Sequence, residues 1–169
     1  LPEVPSLDAS GFARRTKELL EIYPRQNALA QLNLMDSHDM PRFLSMVSGN
    51  KQAFRLATLF QMTYPGAPCI YYGNEIGMMG GREPENRAPF PWDESRWDHD
   101  LRDHFKTYAH IRQENQVLRT GEYVPLYAEG RRLLILRHLD GARMMIAFNA
   151  DGSHWDLNIP VGEHFDDGA

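Results

Sequence analysis

The order of apolar segments in the first part of the sequence is the feature that most limits how this chain can fold. After Ser10, apolar residues recur with helical spacing, and Ser10 is available as the N-terminal cap of this helix. The predicted elements are a helix that ends near Pro24, a buried strand at 28–35, a helix at 51–64 and a second strand at 68–72. Alternation of helices and short apolar strands predicts an α/β fold with a parallel sheet or barrel.

The segment after the second strand has a different character. Residues 73–100 are rich in glycine, proline and charge and show no apolar periodicity. Loops of that length in compact domains are usually functional or disordered, and we expect a functional loop here. A third helix is predicted at about 101–117, where apolar residues recur with helical spacing.

A change of period near residue 118 predicts a second unit. Asp140-Gly141 separates two apolar segments, 133–139 and 143–149. This is a strong β-hairpin signal, because a type I′ turn needs two residues that tolerate positive φ. Trp155, Leu157 and Ile159 then alternate with polar residues, which is typical of a half-exposed strand. We therefore predict two domains, residues 1–118 and 119–169.

Charge and composition exclude several classes of partner. The net charge is −5 and lysine and arginine form no stripe, so the chain has little electrostatic support for binding nucleic acid. No apolar stretch approaches the roughly 18 to 20 residues of a membrane span. No signal peptide is recognisable at the beginning of the sequence, which leads us to expect a cytoplasmic protein.

Polar residues that can carry chemistry follow the first predicted strand. Asp36, His38 and Asp39 come where that strand stops. In an α/β barrel the active site lies at the carboxyl ends of the strands, so these side chains are candidate catalytic residues. The alternative is that they cap a helix and solvate a turn, for which aspartate and serine are well suited.

Two segments carry a resemblance to a known family. Residues 33–43 (NLMDSHDMPRF) resemble the fourth signature region of the α-amylase family, glycoside hydrolase family thirteen, with His38-Asp39 as its core and Arg42 following. Residues 64–93 are similar to the eighth strand and its loop in the neopullulanase, cyclomaltodextrinase and maltogenic amylase branch. The resemblance extends over about 12–118.

The resemblance implies a fold and an activity. The fold would be the C-terminal part of a (β/α)8 TIM barrel, strands 7 and 8 with flanking helices, followed by a partial antiparallel β-sandwich domain. The activity would be retaining hydrolysis of α-1,4 glucosidic bonds in maltodextrins, cyclodextrins or pullulan, with α-1,6 bonds as further candidates. The ligand would be an α-glucan oligosaccharide.

The resemblance also implies roles for individual residues. Asp39 would be the third catalytic carboxylate, a transition-state stabiliser that binds sugar hydroxyls and is neither nucleophile nor proton donor. His38 would bind hydroxyls of the same sugar through hydrogen bonds that strengthen as charge develops. The alternative for His38 is a purely structural pairing with Asp36 or Asp39.

Further substrate-binding residues are implied by the same likeness. Arg87 and Glu83 resemble residues that contact sugars on the donor side of the cleft, and Arg42 belongs to the same constellation. The family more often has aspartate at the positions of Glu83 and Asn74. The alternative for Arg87 is an ion pair with Glu83 or Glu85 that pins the loop. Trp92 and Trp97 have two interpretations, stacking on sugar faces or packing of the loop.

No metal or cofactor is expected in this chain. His99 and His104 lie near Asp98, Asp100 and Asp103, but acidic residues at a helix N-terminus are explained by the helix dipole. In the resembled family, calcium sites lie mostly in the part of the protein that precedes the segment matched here.

The resemblance leaves the catalytic machinery incomplete. Retaining hydrolysis needs a carboxylate nucleophile and a carboxylic acid about 5 Å apart. In the family both come from earlier barrel strands, and we find neither motif here. We therefore expect this chain to need the missing N-terminal part of the barrel, or another copy of itself, as a partner. The alternative is a non-catalytic amylase-like protein that binds sugar or acts as a scaffold.

Overall fold

The computed structural model of the chain describes residues 6–157. The helices are α1 (Ala9–Glu21), α2 (Arg25–Ala30), α3 (Phe43–Met46), α4 (Lys51–Thr63), α5 (His99–Glu114) and α6 (Gln116–Thr120). The strands are β1 (Leu32–Leu34), β2 (Ala67–Cys69), β3 (Glu122–Glu129), β4 (Arg132–Leu139) and β5 (Ala142–Asn149). Within the described range, every helix is too short or too polar to act as a membrane span.

The first helix begins earlier than the sequence pattern predicts. Asp8 is its cap, since the Asp8 carboxylate accepts a hydrogen bond from the Gly11 amide at 2.7 Å. Ser10 lies inside the first turn and donates its hydroxyl to Asp8 at 3.2 Å, so the prediction of Ser10 as the cap was wrong. An aspartate two residues earlier can reach the free amides, which explains the shift.

The two short strands confirm the parallel α/β prediction. β1 and β2 pair in parallel with Leu32 opposite Ala67 and Leu34 opposite Cys69, and α4 lies between them in the chain. Both strands are shorter than predicted. α2 occupies the start of the first predicted segment, and β2 ends at Cys69. Three 3-10 turns interrupt the long loop after β2, at Asn74–Ile76, Glu85–Arg87 and Glu94–Arg96.

The expectation that the first strand is buried was wrong. Leu32 and Leu34 in β1 are 65% and 54% exposed. β1 pairs with β2 along one edge, and its other edge has no partner strand among the described residues. Beside it runs an apolar groove of about 690 Å³ that is also lined by Phe12, Leu19 and Phe60.

Two apolar clusters hold the described residues together. One lies between α4 and α5 and contains Leu44, Phe54, Met62, Leu101 and Phe105. The other joins α1 and α6 to the antiparallel sheet, and its members include Ala13, Leu118, Tyr123, Ile135 and Phe148. The second cluster therefore crosses the predicted domain boundary, which itself stays a prediction.

The antiparallel sheet confirms the predicted hairpin. Its strand order is β3-β4-β5, and the turn between β4 and β5 has φ of 47° at Asp140 and 88° at Gly141. The further strand predicted through Trp155 and Leu157 is not formed at 154–157, and Ile159 lies outside the described residues. Residues 6–157 contain one antiparallel sheet, so a sandwich remains a prediction.

The start of α5 gives a first testable prediction. Asp98 accepts a hydrogen bond from the Leu101 amide at 2.9 Å and forms an ion pair with Lys51 at 2.6 Å. Asp98→Ala removes both, and we expect the free energy of unfolding to fall by about 1 to 2 kcal/mol in urea titrations at pH 7. Asp100→Ala, an exposed acid in the same first turn, is the control and should cost less than about 1 kcal/mol.

The same substitution should change the pH dependence of stability. Burial alone would raise the pKa of Asp98, but hydrogen bonds from Lys51 and the Leu101 amide outweigh it and hold the pKa below its ordinary value. A carboxyl with a lowered folded pKa stabilises the fold above its unfolded pKa, and this contribution disappears as pH falls through the folded value. The difference between wild type and Asp98→Ala should therefore shrink below about pH 4, and a constant difference would contradict the assignment.

Candidate active site

The predicted site residues meet at one edge of the parallel sheet. His38 and Asp39 lie in the turn that directly follows β1, and Glu83 and Arg87 lie in the loop that follows β2. Because β1 and β2 are parallel, their carboxyl ends lie side by side. The two segments are thus brought together although more than 40 residues separate them in sequence.

Four charged or polar side chains form a chain of contacts there. His38 Nε2 lies 3.2 Å from Asp39 Oδ1, and Arg87 Nη2 lies 3.8 Å from the same oxygen. Arg87 Nη1 pairs with Glu83 Oε1 at 3.1 Å, and Arg87 Nε donates to the His38 carbonyl at 3.0 Å. The ion pair between Arg87 and Glu83 that we considered as an alternative to sugar binding is therefore present.

These contacts are open to solvent. The side chains of His38 and Asp39 are 63% and 74% exposed, and those of Arg87 and Glu83 are 42% and 64% exposed. Ion pairs at such exposure contribute about 0 to 1 kcal/mol to stability. Their accessible hydrogen-bonding atoms remain able to bind a polar ligand.

Asp36 is separate from this group. Its side chain is buried, one carboxylate oxygen accepts from the Phe43 amide at 2.6 Å, and the other accepts from Asn74 Nδ2 at 2.6 Å. The Phe43 amide is at the first turn of α3, so Asp36 has the structural role that we gave as the alternative. Asn74, which is uncharged and buried, ties the 3-10 turn Asn74–Ile76 in the loop after β2 to this carboxylate.

Arg42 does not lie where direct sugar binding requires it. Its side chain is 0% exposed, and its guanidinium lies 4.6 Å and 4.8 Å from the ring centroids of Tyr71 and Tyr72. Nη1 donates to the Tyr72 carbonyl at 2.7 Å, whereas Nε and Nη2 have no partner among residues 6–157. In this arrangement a sugar cannot reach Arg42, so the predicted direct contact is corrected to support of the turn from inside.

Asn86 is a site residue that the sequence did not reveal. Its amide nitrogen donates to the carbonyls of His38 at 2.7 Å and Met40 at 3.0 Å, and its side chain is buried. The hydroxyl of Tyr71 donates to the Asn86 carbonyl at 3.3 Å. In the sequence this asparagine stands between charged residues in a polar loop, which gives no signal of burial.

The two tryptophans of the loop differ in environment. Trp97 donates its indole N–H to the Pro91 carbonyl at 2.6 Å, and the Arg102 guanidinium lies 5.1 Å from its ring, so packing is confirmed for this residue. Trp92 is 83% exposed and contacts the ring of Phe90 at 4.9 Å. Sugar stacking on Trp92 stays a prediction, which quenching of its fluorescence by maltotriose would test.

The histidines near α5 have partners of their own. His99 Nε2 lies 3.1 Å from the Glu94 carbonyl, and His104 Nε2 lies 3.1 Å from the Arg55 carbonyl. Burial lowers the pKa of His104, and the charge of Arg55 adds to this effect. No group of three or more potential metal-binding side chains comes together within the described part of the chain.

Comparison with known proteins gives a consistent result. The family model of the α-amylase catalytic domain matches residues 7–122. A cyclomaltodextrinase of Bacillus sp. is 40% identical over 159 residues, which cover 93% of this chain and 28% of that protein. Neopullulanase 2 of Thermoactinomyces vulgaris is 44% identical over 144 residues, which cover 84% of this chain and 25% of that protein.

A solved structure agrees with these relatives. The debranching enzyme of Nostoc punctiforme superposes with a TM-score of 0.89 at 39% identity, over 95% of this chain and 33% of that chain. The chain therefore spans about a third or less of the length of the proteins it matches.

Proposed function

This chain belongs to the α-amylase family, and from that premise we propose that the turn with His38 and Asp39 is part of the active site of a retaining glycosidase that acts on α-glucans. The observation that supports this most is the exposed group of His38, Asp39 and Arg87 at the carboxyl end of two parallel strands. Active sites of α/β barrels lie at that end.

The proposed chemistry assigns a separate task to each side chain. Asp39 accepts hydrogen bonds from sugar hydroxyls and stabilises positive charge on the sugar ring as the glycosidic bond breaks. His38 donates a hydrogen bond to the same sugar. Arg87, held by Glu83 and by the His38 carbonyl, keeps a positive charge beside Asp39. Glu83 is a further candidate for sugar contact.

The nucleophile and the general acid are proposed to lie in polypeptide outside the described residues. A retaining mechanism needs two carboxyl groups about 5 Å apart, and the role of Asp39 is neither of these. We propose that β1 and β2 are strands 7 and 8 of an eight-stranded barrel. The unpaired edge of β1 and the apolar groove beside Leu32 and Leu34 would then be covered by the upstream strands and helices.

The proposed substrates are α-1,4-linked maltodextrins, cyclodextrins and pullulan, with α-1,6 bonds included. Relatives named for cyclomaltodextrin, pullulan and debranching activity support this range. A hydroxyl-rich oligosaccharide suits a site of exposed polar side chains, because each hydroxyl both donates and accepts hydrogen bonds.

The test compares the 169-residue chain with the full-length polypeptide that contains it, identified by intact mass in the source preparation. Maltotriose, cyclodextrin and pullulan are offered to both samples. Hydrolysis by the full-length polypeptide, restored when the chain is combined with a separately produced upstream segment, supports the proposal. A stable complex that binds maltodextrin without hydrolysis would instead support a sugar-binding or scaffold protein.

A further inference from the structure

The side-chain amide of Asn86 bridges the backbone carbonyls of His38 and Met40, the residues immediately before and after Asp39. It donates one hydrogen to the His38 carbonyl at 2.7 Å and the other to the Met40 carbonyl at 3.0 Å. We propose that Asn86 is the positioning residue of Asp39, which sets the direction of this carboxylate by fixing the backbone on both sides of it. The inference rests on the proposed function for the catalytic consequence and on geometry alone for the positioning.

The orientation of the Asn86 amide follows from its neighbours. Both atoms within hydrogen-bonding distance of Nδ2 are carbonyl oxygens, which can only accept, so the nitrogen must occupy this position. Asn86 Oδ1 is buried and has no partner among residues 6–157. A buried oxygen without a donor costs stability. The two hydrogen bonds that the amide donates to the turn, to the carbonyls of His38 and Met40, offset this cost.

The loop that carries Asn86 is itself held firmly. Asn86 lies in the 3-10 turn Glu85–Arg87, and its carbonyl accepts from the hydroxyl of Tyr71, two residues after β2. Gly80 packs so closely on this turn that a Cβ atom there would lie 2.5 Å from the Glu85 carbonyl oxygen. The Gly80 carbonyl in turn accepts from the Arg42 amide at 3.0 Å. The residues after β2, the segment at Gly80 and the 3-10 turn Glu85–Arg87 are therefore linked to one another beside the turn that carries Asp39.

Asp39 needs such support because its own side chain has little. It is 74% exposed, and its contacts to His38 and Arg87 are those of a surface ion pair. Fixing the backbone before substrate binds removes conformational freedom that binding would otherwise have to restrict. Arg87 Nε shares the His38 carbonyl, so Asn86 alone holds the Met40 side of the turn among the side chains described.

Two variants of different chemistry test the proposal in the full-length polypeptide. Asn86→Ala removes both donors, and we expect kcat for maltotriose to fall by about 10- to 100-fold, with KM changed by less than about threefold. Asn86→Asp keeps the shape but places a carboxylate beside two carbonyl oxygens, and should lose as much at neutral pH. A buried carboxyl has a raised pKa, and once protonated it regains one donor.

The pH profile separates positioning from general support of the fold. The kcat of Asn86→Asp relative to wild type should rise as pH decreases, whereas the ratio for Asn86→Ala should stay constant. Asn27→Ala, an exposed asparagine in α2, is the control and should leave both parameters unchanged. A wild-type kcat in Asn86→Ala, or parallel profiles for the two variants, would overturn the proposal.

A second measurement does not depend on activity. Hydrogen exchange of the Asp39 and Met40 amides should be faster in Asn86→Ala than in wild type, with exchange in β4 unchanged. If the full-length polypeptide hydrolyses no glucan, the proposed function fails, and this exchange result alone decides whether Asn86 positions the turn. Equal exchange in both proteins would refute it.

Discussion

Replacing Asp39 by asparagine is expected to lower kcat/KM for maltotriose hydrolysis by the full-length polypeptide by about 100- to 1,000-fold. This is the magnitude found when one group that stabilises transition-state charge is removed. Asparagine keeps the size of the side chain but loses the negative charge, and one of its two polar ends can no longer accept hydrogen bonds. The change should appear mainly in kcat, because the lost interaction strengthens as charge develops on the sugar.

Folding should be almost unaffected by the same change. The Asp39 side chain is 74% exposed, and its contacts to His38 and Arg87 are of the kind that contribute little to stability. Asp140→Asn is a matched control, because it makes the same substitution in a hairpin turn where asparagine also tolerates the φ of 47°. An Asp39→Asn enzyme with activity close to that of the control would refute the assigned role.

Arg137→Met is expected to lower the free energy of unfolding by about 3 to 4 kcal/mol, with the midpoint of thermal unfolding decreased by roughly 6 to 16 °C. Arg137 is 0% exposed in the central strand β4. It donates to the carbonyls of Leu118 at 3.0 Å, Gly121 at 2.8 Å and Glu122 at 3.0 Å, and also to that of Thr63. Methionine fills similar space but leaves all four carbonyls without this donor.

The position of these carbonyls explains why the effect should be large. Thr63 ends α4 and Leu118 lies in α6, so one guanidinium joins the α/β part to the antiparallel sheet. Burial lowers the pKa of Arg137 to about 10, with the charge of Arg112 contributing, which leaves it cationic at neutral pH. Its charge faces the carboxyl end of α4, where the helix dipole is negative.

Denaturant and thermal unfolding of the 169-residue chain measure this effect. Arg131→Met, at an exposed arginine close to the start of β4, is the control and should change stability by less than about 0.5 kcal/mol. Arg112 also donates to the Leu118 carbonyl, at 2.9 Å, so the double variant with Arg112→Met should show a non-additive loss. A loss for Arg137→Met no larger than that of Arg131→Met would contradict this role.

Several elements of the fold were predicted correctly from the local sequence. The hairpin turn at Asp140-Gly141 was predictable because the φ values of a type I′ turn restrict which residues can occupy two adjacent positions. The parallel pairing of β1 and β2 was predictable because a helix between two short apolar strands leaves few other arrangements. His38 and Asp39 were recognisable as candidates because they form a compact motif directly after a strand.

Other features depended on residues that are distant in sequence. The burial of Arg42 depends on Tyr71 and Tyr72, about 30 residues later, and its position in the sequence gave no indication of it. The exposure of Leu32 in β1 also contradicts its apolar pattern. An apolar pattern indicates which face of a strand is suited to burial, whereas the exposure of that face depends on which other segments are present to pack on it.

The sequence by itself thus determined the α/β pattern, the hairpin and the motif of His38 and Asp39, because each depends on neighbouring residues and their backbone preferences. Only the tertiary structure decided that Asn86 holds the turn of Asp39 and that Arg137 joins the sheet to α4. These bonds link residues 48 and 74 positions apart. Buried polar groups take whichever partners the folded chain brings within reach, and no local preference specifies those partners.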